Sequence, residues 1–129
     1  MPSFRSLLDA RIQATGACLC VGIDPKTYND DLESTCRSLI NATAPYAACY
    51  KPNGANLEER LDVMQELNVY IHSLNIPVLL DVKRGDIGST AVAYARTCYE
   101  YFRADAVTLS PLMGWDSVEP FCRGNTKNI

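Results

Sequence analysis

The chain has 129 residues, of which 47% are hydrophobic, and a formal net charge of -3 at pH 7. This length and composition fit one domain with its own core and exclude a disordered chain. The small acidic charge gives no electrostatic basis for nucleic-acid binding, and no apolar segment reaches the length of a membrane span. Because Arg5, Asp9 and Arg11 interrupt the first apolar residues, no signal peptide is predicted and we expect a cytoplasmic protein.

The first part of the chain alternates between helical and strand patterns. Ser3 to Ala14 has the spacing of an amphipathic helix capped by its first residue, and we expect it to cover another surface rather than carry chemistry. Ala17 to Ile23 is a short apolar segment typical of a strand, and Asn29 to Ala42 predicts a helix. Tyr46 to Tyr50 predicts a second strand, and Ala55 to Leu74 predicts the longest helix.

The alternation continues through the second part of the chain. Pro77 to Val82 predicts a strand, and Ser89 to Phe102 has helical spacing. Ala106 to Leu109 predicts a fourth strand, and Ser117 to Phe121 a last short helix. Four strand and helix units with short connections predict parallel strands joined by right-handed crossovers.

This order of elements predicts an α/β fold of the TIM (β/α)8-barrel type. A doubly wound sheet is the structural alternative, but Gly22-Ile23-Asp24-Pro25 stands where a glycine-rich phosphate turn would follow the first strand. A closed barrel needs eight units and about 250 residues. We therefore expect residues 1–129 to form a single partial domain with the first four units of a longer barrel, or else a half barrel that pairs with another copy.

Polar side chains follow each predicted strand. Because carboxyl ends of parallel strands meet at one rim, we expect these side chains to converge there, where barrel enzymes place their active sites. They are Asp24, Lys51, Asp81, Lys83 and Ser110.

The third strand ends in two carboxylates that bracket a lysine. Asp81 and Lys83 are two residues apart on a strand, so they should share a face. Gly85 and Gly88 loosen the backbone that follows, and we expect a turn that brings Asp86 to the same ammonium. Such an array stabilises a protonated lysine, which suits a cation or a proton donor beside a developing negative charge. A solvated loop is the alternative interpretation.

The six cysteines are predicted to be free thiols, because no secretory signal accompanies them. Cys18 and Cys20 are the only close pair, and neither a second pair nor a histidine lies at zinc-site spacing, so no metal site is predicted. His72, the single histidine, falls in a helical pattern. We expect it to be a surface or groove residue rather than a catalytic base.

Four motifs, in order and over nearly the whole chain, resemble the N-terminal half of the orotidine 5'-monophosphate decarboxylases. Each follows a predicted strand, as it does in that family. The motifs are Gly22-Ile23-Asp24-Pro25-Lys26, Tyr50-Lys51-Pro52-Asn53, Asp81-Val82-Lys83-Arg84-Gly85-Asp86-Ile87-Gly88-Ser89-Thr90 and Ser110-Pro111-Leu112-Met113-Gly114.

The resemblance implies decarboxylation of orotidine 5'-monophosphate to UMP in pyrimidine biosynthesis, without a metal or cofactor, by a TIM-barrel homodimer with shared active sites. By the family pattern, Asp24 holds the ribose hydroxyls. Lys51 binds the ribose and orients its neighbour. Asp81 lies against the departing carboxylate, and Lys83 protonates C6 of the pyrimidine.

The same resemblance implies further substrate contacts. Asn53 belongs to the substrate-binding set, and Ser110 approaches the pyrimidine. Asp86, Ile87 and Thr90 reach into the site of the partner subunit, where Asp86 joins the catalytic charges. In the family, a loop and an arginine from the C-terminal half grip the phosphate. We therefore expect this chain alone to have little or no activity.

Two other functions remain open. A magnesium-dependent sugar-phosphate decarboxylase or synthase of the same superfamily shares the D-x-K-x-x-D array, although Lys51-Pro52-Asn53 and Ile87-Gly88-Ser89-Thr90 favour the orotidine enzyme. A non-catalytic half barrel could instead use the charged rim for binding or dimerisation. Activity loss on chelation would indicate the first alternative. Nucleotide binding that does not change when Lys83 is replaced by alanine would indicate the non-catalytic half barrel.

Overall fold

Helices and parallel strands alternate in the computed structural model, which describes residues 2–26 and 31–123. The elements in chain order are α1 (Phe4–Thr15), β1 (Leu19–Ile23), α2 (Leu32–Thr43), β2 (Ala47–Pro52), α3 (Gly54–Leu57), α4 (Leu61–Ser73), β3 (Leu79–Arg84), α5 (Gly88–Arg96), β4 (Ala106–Leu109) and α6 (Trp115–Cys122).

The strands lie side by side in chain order. β1 pairs with β2 and β3 pairs with β4, both in parallel. Single parallel bridges from Tyr50 to Val78 and from Asn53 to Asp81 join β2 to β3. The predicted parallel arrangement is confirmed, and the carboxyl ends of all four strands lie at one edge. This is the arrangement of four consecutive units of a TIM barrel.

The core lies between the strands and the helices that follow them. Ile23, Tyr50 and Leu80 project from three neighbouring strands into this layer and are almost completely buried. The Tyr50 hydroxyl donates a hydrogen bond of 2.7 Å to the carbonyl of Ile40 in α2. The helices contribute apolar side chains to the same layer, among them Leu32, Ile40, Met64, Leu67, Ile71, Ala91, Cys98 and Phe121.

Helix α1 covers the start of β2, as expected for an element without chemistry. The Ser3 hydroxyl accepts a hydrogen bond of 3.2 Å from the backbone N–H of Ser6, so the predicted cap is confirmed. Gly16 ends the helix with a φ of 71°, in the left-handed region that favours glycine. The Arg11 guanidinium donates a 3.0 Å hydrogen bond to the Ala47 carbonyl, which attaches α1 to the strand.

The prediction of one helix from Ala55 to Leu74 is wrong. The structure has α3, a 3-10 turn at Glu58–Arg60 and then α4. Arg60 has φ −135° and ψ 62°, which is not helical, and it separates the turn from α4. The apolar residues keep a helical spacing across this break, so periodicity alone does not reveal it.

Other boundaries differ by a few residues. β1 begins at Leu19 instead of residue 17, β2 continues to Pro52, and β3 continues to Arg84. The predicted helix at 89–102 is α-helical only to Arg96 and then becomes a π turn over Thr97–Tyr101. α6 is longer than predicted. Residues 29 and 30 of the predicted second helix lie outside the described residues.

The helices in the described ranges are all too short or too polar to span a membrane. All six cysteines fall in these ranges and are free thiols, and Cys18 and Cys20 are both exposed.

Candidate functional site

A buried carboxylate in the middle of β3 lies between two lysine ammonium groups. Lys51 Nζ is 2.9 Å from Asp81 Oδ2, and Lys83 Nζ is 2.6 Å from Asp81 Oδ1. The Asp81 side chain is only 6% exposed, whereas that of Lys83 is 69% exposed. We call these three residues the lysine–aspartate array. The carboxylate therefore anchors a cation whose outer side faces solvent.

The pairing of β2 with β3 brings the array together. The bridge between Asn53 and Asp81 aligns the two strand ends, so Lys51, two residues before Asn53, reaches the carboxylate. Lys83 has a φ of 45°, which is uncommon for a residue other than glycine. Backbone held in such a conformation costs about 1–3 kcal/mol and occurs often at functional sites.

The two lysines control the ionisation of Asp81. Burial alone would raise the pKa of this carboxyl group. Hydrogen bonds from Lys83, Lys51 and Thr108 outweigh that effect and hold the pKa well below its ordinary range. In return, the hydrogen bond to Asp81 raises the pKa of Lys51, with a further contribution from the charge of Asp24. Asp81 is therefore ionised and Lys51 is protonated at neutral pH.

A second polar pair joins the ends of β1 and β2. The Asn53 amide donates a hydrogen bond of 2.7 Å to Asp24 Oδ1. Its carbonyl oxygen accepts hydrogen bonds from the backbone N–H groups of Ala55, at 3.0 Å, and Asn56, at 3.3 Å. One side chain thus starts α3 and orients Asp24. Of the five residues predicted to converge at one rim, Asp24, Lys51, Asp81 and Lys83 lie there, and Ser110 follows β4 at the same edge. Asn53 joins them through its hydrogen bond to Asp24.

The expectation that Asp86 reaches the same ammonium is wrong. Within the described residues Lys83 pairs with Asp81, while Asp86 Oδ1 accepts a 2.7 Å hydrogen bond from the backbone N–H of Ile87. The chain continues beside β4 after Arg84 instead of turning back. The Arg84 carbonyl accepts a 2.7 Å hydrogen bond from Ser110 N–H.

Three other predicted site residues make no polar side-chain contact with the array in the described ranges. Ile87 is 56% exposed just before α5, and Thr90 is half-buried in the first turn of that helix. Ser110 follows β4 and lies against Gly85. No hydrogen bond or ion pair among the described residues joins their side chains to the array. Their predicted roles as substrate contacts stay predictions.

Thr108 is a site residue that the sequence analysis missed. Its hydroxyl donates a hydrogen bond of 2.8 Å to Asp81 Oδ1. The only signal in the sequence is a single hydroxyl in an otherwise apolar strand, two residues before Ser110 and therefore on the same face. Threonine is common in strands for packing reasons, so this signal alone would not have identified it.

A cavity of about 530 Å³ lies at the opposite end of the strands. Its lining includes Pro77 and Asp105, which precede β3 and β4, and His72 from the end of α4. His72 lines this cavity, so the prediction of a surface or groove position is confirmed, and its Nε2 is 2.7 Å from Asp105 Oδ2. Despite its size, this cavity contains no residue of the array. We therefore place the candidate site at the carboxyl ends of the strands.

The array can hold positive charge in place beside an anionic ligand. The Lys83 ammonium is accessible and is held by a carboxylate that cannot easily move, which is the requirement for electrostatic stabilisation without reorganisation. In residues 2–26 and 31–123, no three or more His, Cys, Asp or Glu side chains lie together as metal ligands do.

Comparison with known proteins gives consistent relationships. Residues 18–128 match the model of the "Orotidine 5'-phosphate decarboxylase / HUMPS family". An orotidine 5'-phosphate decarboxylase from Ralstonia nicotianae is 41% identical over 92% of this chain and 48% of the relative. A putative orotidine-monophosphate-decarboxylase structure from Toxoplasma gondii has a TM-score of 0.90 and 38% identity, over 97% of this chain and 47% of that one.

The orotidine monophosphate (OMP) decarboxylase structure from Leishmania donovani has a TM-score of 0.82 and 41% identity, over 95% of this chain and 50% of that one. The chain spans about half the length of the curated relatives that it matches. The similarity therefore covers the four described strand and helix units and the lysine–aspartate array. The other half of each relative is not matched by this chain.

Proposed function

The chain belongs to the orotidine 5'-phosphate decarboxylase / HUMPS family, and on that premise we propose that it supplies the charged catalytic array of an enzyme that converts orotidine 5'-monophosphate to UMP and carbon dioxide. The observation that carries this proposal is the Asp81 carboxylate held between the Lys51 and Lys83 ammonium groups, at 2.9 and 2.6 Å. Relatives that bear the name of this decarboxylase are 38–41% identical to the chain.

In the proposed reaction, the bond between C6 of the pyrimidine and its carboxylate breaks, and the electron pair stays on C6. No carbonyl next to C6 can delocalise that pair, so a fixed positive charge must stabilise it. The Lys83 ammonium supplies the charge and then transfers a proton to C6. Lys83 regains its proton from solvent. The overall change is loss of carbon dioxide and gain of one proton.

The neighbours of Lys83 keep it in place during this step. Asp81 accepts hydrogen bonds from both lysines, so the Lys83 ammonium needs little reorganisation when charge develops. Lys51 and Asp24, which Asn53 orients, are proposed to bind the ribose. Asp86, Ile87 and Thr90 are proposed to contact the substrate held by the partner subunit of a homodimer. In the described residues their side chains make no hydrogen bond or ion pair with the array, which agrees with that proposal.

We propose that the chain by itself turns over little substrate. Contacts to a remote phosphate group supply binding energy for catalysis, and the family resemblance assigns them to the other half of the barrel. A continuous assay of orotidine 5'-monophosphate consumption tests this. Turnover near that of a full-length relative would contradict it.

Calorimetric binding of a 6-substituted UMP tests the array directly. We expect the chain to bind this nucleotide and the Lys83→Ala variant to bind it about tenfold more weakly, because a charge-assisted contact is lost. Arg96→Ala, which removes an exposed charge in the last turn of α5, is the matched control and should bind like the parent. Binding that does not change in Lys83→Ala would refute the site.

A magnesium-dependent sugar-phosphate enzyme of the same superfamily is the second candidate, since it would share the D-x-K-x-x-D array. The same titration in the presence of a chelator separates the two. Nucleotide binding that survives chelation supports the decarboxylase. Binding or turnover of a sugar phosphate that needs added magnesium supports the alternative.

A further inference from the structure

We propose that Thr108 is a positioning residue for the lysine–aspartate array, and this inference rests on the function proposed for that array. Thr108 lies on β4, next to the strand that carries Asp81 and Lys83. It is half-buried and is separated from Asp81 by 27 residues along the chain.

The Thr108 hydroxyl uses its full capacity for hydrogen bonds. It donates to Asp81 Oδ1 at 2.8 Å and accepts from the backbone N–H groups of Val82 at 3.1 Å and Lys83 at 3.0 Å. A hydroxyl has one donor and two acceptor sites. All three are therefore engaged by consecutive residues of β3.

These contacts occur where the strand pairing is interrupted. Leu80 pairs with Val107 and Arg84 pairs with Leu109, so the three β3 residues between them face a single β4 residue, Thr108. The N–H groups of Val82 and Lys83 find their acceptor in a side chain, not in the backbone of β4. The side chain thus replaces the missing ladder and supports the left-handed conformation of Lys83.

The same hydroxyl also restricts the carboxylate. Asp81 Oδ1 accepts from both the Lys83 ammonium and Thr108, while Oδ2 accepts from Lys51. Three donors on two sides leave the carboxylate one orientation, and that orientation sets the place of the Lys83 ammonium. Thr108 therefore acts on the reacting group through Asp81 and through the Lys83 backbone.

The test is a carbon-13 NMR titration of the Asp81 carboxyl group without nucleotide. Thr108→Val keeps the shape and removes the hydroxyl, and we expect it to raise the pKa of Asp81, because one of three donors is lost while burial remains. Thr108→Ser keeps the hydroxyl and should leave the titration unchanged. Thr97→Val, which removes a hydroxyl bonded to the Ala93 carbonyl in the exposed π turn, is the matched control.

A merely structural Thr108 would lower stability without moving the Asp81 titration, so an unchanged titration in folded Thr108→Val overturns the proposal. If that variant does not fold, amide hydrogen exchange in the parent chain tests whether the Thr108 hydroxyl holds the β3 backbone. Val82 and Lys83 should be protected because the hydroxyl accepts from both. Exchange at random-coil rates would overturn the proposal.

Binding of a 6-substituted UMP should weaken in Thr108→Val and not in Thr108→Ser. This arm depends on the proposed function, whereas the titration and the amide exchange do not. If Lys83→Ala binds nucleotide normally while Thr108→Val shifts the Asp81 titration, the proposed function fails and the positioning role stands.

Discussion

The Lys83 ammonium lies 2.6 Å from the carboxylate of Asp81, the residue two positions earlier on the same strand. Lys83 reaches this position with a left-handed backbone, at φ 45°, next to an interruption of the β3 and β4 pairing. A regular strand would send the lysine side chain away from the sheet, parallel to that of Asp81. The irregular strand end therefore turns two ordinary side chains into a fixed ion pair.

Asp81→Asn should change the pH dependence of stability. The native pKa of Asp81 is depressed below its unfolded value of 3.8, so its contribution is present above that value and is lost as pH falls through the native pKa. We expect the variant to be about 1–3 kcal/mol less stable than the parent at pH 7, with a difference that shrinks in acid. Urea unfolding between about pH 3 and about pH 7 measures this difference.

Asp9→Asn is the control for that series, because Asp9 is 58% exposed and its pairing with Arg5 is loose, at 3.8 Å. Its effect should be small. A stability difference between Asp81→Asn and the parent that stays constant down to the acid limit would contradict the assignment of the depressed pKa to Asp81.

Gly54→Ala should disturb the array through the backbone. A Cβ atom at Gly54 would lie 2.7 Å from Val82 Cγ1 and 3.1 Å from the Asp81 carbonyl oxygen, so β3 would have to move. We expect a loss of about 1–3 kcal/mol in unfolding free energy, measured by urea denaturation. Gly88→Ala is the matched control, since its Cβ would make only ordinary contacts at 3.6 Å. Equal stability of the two variants would refute this steric argument.

Tyr50→Phe should weaken the core. The buried hydroxyl donates to the Ile40 carbonyl at 2.7 Å and lies 2.7 Å from Thr43 Oγ1, so its removal deletes two buried hydrogen bonds. The Ile40 carbonyl keeps its helical hydrogen bond from Ala44 N–H at 2.8 Å. We expect a loss of about 1–3 kcal/mol in unfolding free energy. Tyr46→Phe, at a side chain that is 63% exposed, should change stability little. A parent-like melting temperature for Tyr50→Phe would exclude a stabilising role for the hydroxyl.

Cys20 should be the reactive thiol of β1. Its hydrogen bond with the Cys49 thiol and the nearby charge of Lys51 outweigh the effect of burial and lower the pKa of Cys20 to about 7. In a Cys18→Ser background, alkylation by iodoacetamide should therefore reach half its maximal rate near that pH. Burial raises the pKa of Cys98 to about 11, so this thiol should remain unmodified.

Cys49→Ala separates the causes of that shift. Without its hydrogen-bond partner, Cys20 should titrate at higher pH, and mass spectrometry of the alkylated peptide gives the midpoint. A midpoint that stays near 7 would assign the shift to Lys51 alone and contradict the role of the Cys49 thiol.

Much of the fold follows from local patterns that the sequence displays. Apolar runs of strand length alternate with helical spacing, and this alternation correctly predicts four parallel strands and the rim where Asp24, Lys51 and Asp81 meet. The failures are also physical. Asn53 caps a short helix, α3, which ends before α4 begins. The apolar spacing continues across the break at Arg60, so the periodicity of the sequence predicts one long helix where the structure has two.

The sequence by itself determined which charges lie near the end of the third strand, because residues two apart on a strand, such as Asp81 and Lys83, project from the same face. Only the tertiary structure decided which partners they have. Asp86 accepts from the backbone N–H of Ile87 and not from Lys83, and Thr108 bonds to Asp81 because β4 lies beside the interrupted part of β3. Hydrogen bonds between distant segments depend on the register in which neighbouring strands pair, here that of β3 and β4. The periodicity of the sequence does not predict this register.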